Sequence, residues 1–214
     1  MPTARVLAVD ELVARARALA DAGPRQLLGI AGPPGAGKST LAERVVAAVG
    51  ATARLVPMDG FHLAQAELAR LGRAGRKGAV DTFDANGFVS LLRRLRRLEP
   101  TSVWAPTFRR DLEEPVAGAI EVPPEVRLVV TEGNYLLLST FPWDEIRPLL
   151  HEVWFLDLDA ELRLRRLTAR HQAYGRSPRE AQEWARGSDE TNATLVIDTA
   201  ARADLVVRLA EPPA

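Results

Sequence analysis

The residues from Gly32 to Thr40, Gly-Pro-Pro-Gly-Ala-Gly-Lys-Ser-Thr, constrain this chain more than any other stretch. They fit G-x-x-x-x-G-K-[ST], a loop whose backbone N–H groups turn inward around phosphate oxygens. An apolar run of strand character, residues 26–31, precedes the loop, and residues 41–49 have helical composition. Strand, glycine loop and helix is the context this motif requires, and the helix N-terminus adds partial positive charge. Gly32, Gly35 and Gly37, with Ala36, supply the bend. Pro33 and Pro34 carry no N–H and stiffen its start. Lys38 is placed to reach the β- and γ-phosphates, and the Ser39 hydroxyl, followed by Thr40, to hold Mg²⁺. A plain turn between strand and helix has no need of Lys-Ser-Thr in this register.

A length of 214 residues suits one domain with a full core. The formal net charge is zero, so there is no global pull toward nucleic acid or an anionic membrane. No apolar run approaches a membrane span. Asp10 and Glu11 interrupt any leader-like core near the N-terminus, so a cytoplasmic location is expected. Cysteine is absent, which excludes disulfides, zinc–thiolate sites and thiol nucleophiles. Among the 28 basic residues only Lys38 and Lys77 are lysines. Neither lies in an Asn-Lys-x-Asp motif, which argues against a GTPase switch.

The spacing predicts an amphipathic helix over 10–22, then the loop strand and its helix. A second strand over 53–58 delivers Asp59. A helix is expected over 62–71, a basic glycine-rich loop over 72–82, and a helix capped by Asp84 or Asn86 reaching Leu98. Segments 102–108 and 116–122 suggest a peripheral hairpin. Buried-strand runs cover 127–131 and 153–157, helices 160–173, 178–186 and 189–199, and a last strand 204–209. Strands alternating with helices mean an α/β fold with a mainly parallel sheet.

Ligands of open α/β sheets bind beyond the carboxyl ends of the strands. Asp59, Glu132 and the pair Asp157 and Asp159 stand at three such ends. Carboxylates beside phosphates have two natural tasks, holding Mg²⁺ and taking a proton from an attacking hydroxyl. Asp59 is the candidate general base, with Gly60 opening the way for a substrate, and Glu132 the Mg²⁺-directed acid. His62 is open between substrate contact and simple packing. Helical spacing sets Arg163, Arg166 and Arg170 on one face, either a lid that stabilises transferring phosphate or a solvated surface. Arg93, Arg94, Arg96 and Arg97 alternate with leucines on a surface helix and carry no assigned function.

Gly32–Thr40, Met-Asp-Gly-Phe-His at 58–62, Arg-Lys-Gly at 76–78, Asp-Thr-Phe-Asp at 81–84 and Thr-Glu-Gly-Asn-Tyr-Leu-Leu at 131–137, together with the arginine-rich segment, resemble the uridine kinase, phosphoribulokinase and pantothenate kinase family. The likeness covers residues 25–209. It is closest to the bacterial branch of nucleoside/nucleotide kinases and fructose-transport-system kinases. The resemblance implies a three-layer phosphate-loop NTPase sandwich with a mainly parallel five-stranded sheet, a small peripheral hairpin and an arginine-rich helical lid. It implies one kinase domain over 1–214, with an acceptor-pocket insertion over about 60–122 and a lid over about 160–187. It implies ATP as donor, Mg²⁺ as cofactor and a small-molecule acceptor, most simply a nucleoside or sugar. Asp59, Lys38, Glu132, Arg166 and Arg170 match catalytic positions. Arg76, Lys77, Asp81, Phe83 and Asp84 fall where relatives line the acceptor pocket, and Phe61, His62, Asn134 and Tyr135 are further candidates for substrate contact. Uridine kinases carry Tyr-Asp-Phe and a following His in the hairpin region. Here Pro106-Thr107-Phe108-Arg109-Arg110-Asp111 stands instead, which points away from uridine itself. A pantothenate-like or glycerate-like carboxylate acceptor, or a regulatory ATPase with no acceptor, are the alternatives.

Overall fold

In the computed structural model, residues 2–210 are described. The chain runs β1 (Arg5–Leu7), α1 (Val9–Asp21), β2 (Gln26–Ala31), α2 (Lys38–Val49), β3 (Ala53–Leu55), α3 (Gln65–Arg70), α4 (Ala85–Arg96), β4 (Val103–Arg109), β5 (Glu114–Val122), β6 (Leu128–Gly133), β7 (Glu152–Leu156), α5 (Ala160–Ala173), α6 (Pro178–Arg186), α7 (Ser188–Ile197) and β8 (Leu205–Leu209). Six strands form one parallel sheet in the order β1-β8-β7-β2-β6-β3, and β4 and β5 pair separately as an antiparallel ribbon.

The sheet has one strand more than the five expected. The addition is β1, three residues paired with Val207–Leu209 at the sheet edge. Arg5 and Val6 are exposed there, so no buried apolar run marks the strand in the sequence. The central strands do show that mark. Leu28 and Ile30 turn to one face, where Leu12, Ala16, Leu41 and Val45 of α1 and α2 cover them. Leu27 and Ala31 turn to the other, against Phe88, Val89 and Leu92 of α4. Helices on both faces require strands that are apolar on both sides, hence continuous runs rather than alternation. α4 meets the core through Phe88, Val89, Leu91, Leu92 and Leu95, leaving its arginines outside.

β3 ends sooner than expected. Val56 N–H still bonds Val130 O at 2.8 Å, but Pro57 has no donor to continue the ladder. The chain turns into a 3₁₀ segment, Met58–Phe61, which carries Asp59. Helix α3 starts only at Gln65, because His62 pairs in a β-bridge with Phe83. The hairpin crosses above the 3₁₀ segment. A Cβ at Gly60 would lie 2.5 Å from Pro106 O, so Gly60 admits the hairpin backbone rather than a substrate.

Candidate active site

The phosphate loop follows β2 and ends at Gly37, the left-handed residue before α2. Lys38 is buried; its ammonium donates to Pro33 O at 3.1 Å and to Asn134 Oδ1 at 2.7 Å. Ser39 Oγ donates to Glu132 Oε1 at 3.0 Å, joining the start of α2 to the end of β6. Glu132 is buried beside Asp59, and burial first, the Asp59 charge second, push its carboxyl up to about 7. Burial likewise lowers Lys38 to about 8, against the pull of Glu132 and Asp59. Phosphate oxygens beside Lys38 and a cation beside Glu132 would each restore the charged form.

A cleft of about 600 Å³ extends from this point. Lys38, Ser39, Glu132 and Asn134 stand at its phosphate end. Asp59, His62, Lys77 and Phe83 line it further on. Arg170 lines it from the lid and acts electrostatically on Lys38. Arg166 faces the loop itself, its Nη1 3.8 Å from the position a Cβ would take on Gly37. The structure thus brings Lys38, Ser39, Asp59, Glu132 and Arg170 into one cleft, with Arg166 beside the loop at Gly37. Arg163 departs from the expected shared face. It is buried, paired with Glu190 of α7, and packs on Gly35, which is left-handed and so close to α5 that a Cβ would lie 2.8 Å from Leu167 Cγ.

Other expected pocket residues stand elsewhere. Arg76 and Asp81 are paired with each other at the surface, with Arg73 also 3.4 Å from Asp81. The Arg76 hydrogen bond holds the Asp81 carboxyl below its ordinary value. Asp84 caps α4, accepting from Gly87 N at 2.8 Å. Phe61 packs on Phe88 with ring centroids 5.1 Å apart. Tyr135 is fully buried between Phe83 and Trp143, and its hydroxyl donates to Gly78 O at 2.6 Å, tying down the loop that carries Lys77. Asp157 lies beside Arg208 and Asp159 caps α5, so neither enters the cleft.

His62 packs among aromatic rings and also lines the cleft. Its ring packs at a tilt between Phe83 and Phe108, with ring centroids 4.0 Å and 4.8 Å away. Burial pushes the imidazole below its ordinary value, with Lys77 and Arg110 adding to the effect. A neutral ring with Nδ1 2.7 Å from Asp59 O must carry its proton there, because a carbonyl only accepts. Nε2 is then a hydrogen-bond acceptor.

Several lining residues escape a reading of the sequence. They are Phe108 and Arg110 of the hairpin, Arg176 and Trp184 of the lid, and Asp189 and Asn192 of α7. Asp189 Oδ2 is 2.7 Å from His171 Nε2, and Asn192 Nδ2 donates to Gly78 O at 3.4 Å. Their signal was their spacing: Asp189, Asn192 and Val196 recur at i, i+3 and i+7, which sets polar residues on the buried stripe of α7.

A parallel sheet, a phosphate loop and strand-end carboxylates under a helical lid define a phosphate-loop kinase. No family model matches the chain. Over 95% of its length, however, it is 34% identical to a Schizosaccharomyces pombe protein with the provisional name of uridine kinase, covering 91% of that protein. It is 39% identical to the ATP-dependent kinase-like protein notR' of Aspergillus versicolor, over 56% of this chain and 74% of that one. A crystal structure of a provisionally named fructose transport system kinase from Silicibacter sp. TM1040 superposes with a TM-score of 0.81 at 34% identity, covering 96% of this chain and 100% of the other. The chain belongs to the uridine kinase-like family of phosphate-loop kinases.

Proposed function

We propose that the chain transfers the γ-phosphoryl group of ATP to a hydroxyl of a small metabolite built on a nucleoside or sugar. The observation that carries this reading is the placement of Asp59 in the same cleft as Lys38, Ser39 and Glu132, with room for a second molecule beyond it. Kinship with an ATP-dependent kinase-like protein supports ATP as donor. Segments 60–122 and 160–187 serve as acceptor-pocket insertion and lid of one domain.

The loop amides and Lys38 hold the phosphates. Ser39 and Glu132 offer a hydroxyl and a carboxylate, a donor set that fits Mg²⁺, which keeps its other positions for water and phosphate. Bound there, Mg²⁺ would neutralise charge on the phosphates. Asp59 accepts the proton of the acceptor hydroxyl. His62 Nε2 accepts a hydrogen bond that orients the acceptor. Arg166 and Arg170 stabilise charge on the transferring group, since such charge is spread over equatorial oxygens. The lid excludes water, whose attack would waste ATP. Incubation of the protein with ATP, Mg²⁺ and mixed nucleosides and sugars, followed by mass spectrometry, should yield a phosphorylated acceptor. Accumulation of ADP and free phosphate alone would refute the reading.

A further inference from the structure

We propose that the acceptor carries an anionic group, a carboxylate or a phosphate monoester, received by Arg110 and Arg176 with Lys77 beside them. The proposal rests on the kinase reading and narrows its substrate class.

The charge inventory of the cleft motivates it. Of the acids expected to line the acceptor pocket, Asp81 is taken by Arg76 and Asp84 by the cap of α4. Asp189 is engaged by His171, and Glu132 lies at the phosphate end with Ser39. What faces the acceptor end is Asp59 and the exposed Glu113, against Lys77, Arg110 and Arg176. With Asp189 held by His171, three basic side chains stand against two acids at this end of the cleft.

The two guanidinium groups are also unspent. Among the described residues, neither the Arg110 nor the Arg176 side chain donates a hydrogen bond to protein. Arg110 has only Asp59 near it, with Nη2–Oδ2 of 3.8 Å, too long for a hydrogen bond. Among the described residues Arg176 forms no ion pair, the Glu180 carboxylate acting on it only at longer range; it lies over the face of Trp184 at 3.9 Å. Stacking on a ring face fixes the guanidinium plane and leaves its in-plane N–H groups pointing outward, the fork that matches carboxylate or phosphate. Arg110 belongs to the hairpin and faces Tyr174 of the lid at 5.8 Å. Tyr174 is two residues before Arg176, and both arginines line the cleft, one from the hairpin and one from the segment joining α5 to α6. An anion held by both would draw the lid onto the acceptor. A neutral acceptor would leave two desolvated charges without partners as the lid closed, at a cost in binding. Lys77 is the partly spent member. Its ammonium lies over Phe108 at 4.9 Å and bonds Gln65 and the Glu113 carbonyl, so it contributes mainly positive potential.

The test uses matched acceptors on one scaffold: D-glucose, D-gluconate and D-glucose 6-phosphate, and uridine with uridine 5′-monophosphate. Turnover is followed with ATP and Mg²⁺ by product mass. In parallel, inorganic phosphate and acetate are titrated calorimetrically into protein whose phosphate loop is filled by β,γ-imido-ATP. An anionic member should exceed its neutral counterpart in kcat/KM by about tenfold or more, the scale of one charge-assisted hydrogen bond. Preference for gluconate or for the phosphates tells which anion the site takes. Arg110→Gln with Arg176→Gln should erase that ratio, which a general loss of activity does not change. The double variant should also weaken phosphate or acetate binding by about tenfold or more. Neutral acceptors used as well as or better than anionic ones would overturn the proposal while leaving the kinase reading intact. So would anion binding that is absent, or equal in wild type and double variant, whatever the panel yields. Rapid ADP release without any phosphorylated product would instead refute the kinase reading, and with it the acceptor role of the anion site.

Discussion

Asp59 owes its place to its neighbours. Pro57 ends the ladder of β3, the chain turns through Met58–Phe61, and Gly60 admits the hairpin carbonyl that closes the segment from above. Replacing Asp59 by Asn keeps the shape and removes the base. Turnover should fall about 10²–10⁴-fold, the usual contribution of a general base, with little change in ATP affinity measured by titration. Lost ATP affinity with turnover preserved at saturation would reassign Asp59 to the nucleotide. Gly60→Ala tests its support. The added methyl meets backbone, not a flexible side chain, so the hairpin must shift. A loss of about 1–3 kcal/mol in denaturant unfolding is expected, the ordinary cost of overpacking. Unchanged stability would mean the hairpin yields freely. Lys38, Asp59 and Glu132 were legible in the sequence because each follows a recognisable strand. Asp189 and Asn192 were not, because polar residues in a helix read as surface until a neighbouring helix buries them.

At the scale of elements, the central strands were legible through their apolar runs, whereas β1 was not, since an exposed three-residue edge strand leaves almost no pattern. The arginine helix was legible as a helix but not in its division of labour. Arg163 turns inward to Glu190 while Arg166 and Arg170 face the phosphate loop and the cleft. His151 marks the join between β2 and the segment before β7. Leu27 N–H donates to its Nδ1 at 2.9 Å, and burial, then Arg96, pushes its imidazole below the ordinary value of 6.5. The unfolded chain therefore binds a proton at this residue more readily than the folded one. The His151 contribution is fully present above about pH 6.5 and is lost as pH falls through that value toward the lower folded value. Thermal melts between neutral and mildly acidic pH should show a smaller acid-side decline in His151→Gln than in wild type. Parallel declines would show that His151 is not part of the acid sensitivity.

Across the whole molecule, a chain of zero formal charge brings two groups into one cleft, Lys38 with Asp59 and Glu132, and Lys77 with Arg110 and Arg176. The sheet supplies the first, and the hairpin, the loop of Lys77 and the lid supply the second. The first could be read from motifs that sit on consecutive strands and loops. The second depends on how β4–β5 and α5–α7 dock, which local patterning does not encode. Closing such a cleft takes binding energy from the acceptor, so ATP alone should be hydrolysed slowly. The direct measurement is ADP release and product mass followed together, with and without each candidate acceptor. The account predicts that the correct acceptor raises ADP release by orders of magnitude and yields one phosphorylated product per ADP. Fast hydrolysis indifferent to every acceptor, with no phosphorylated product, would contradict it.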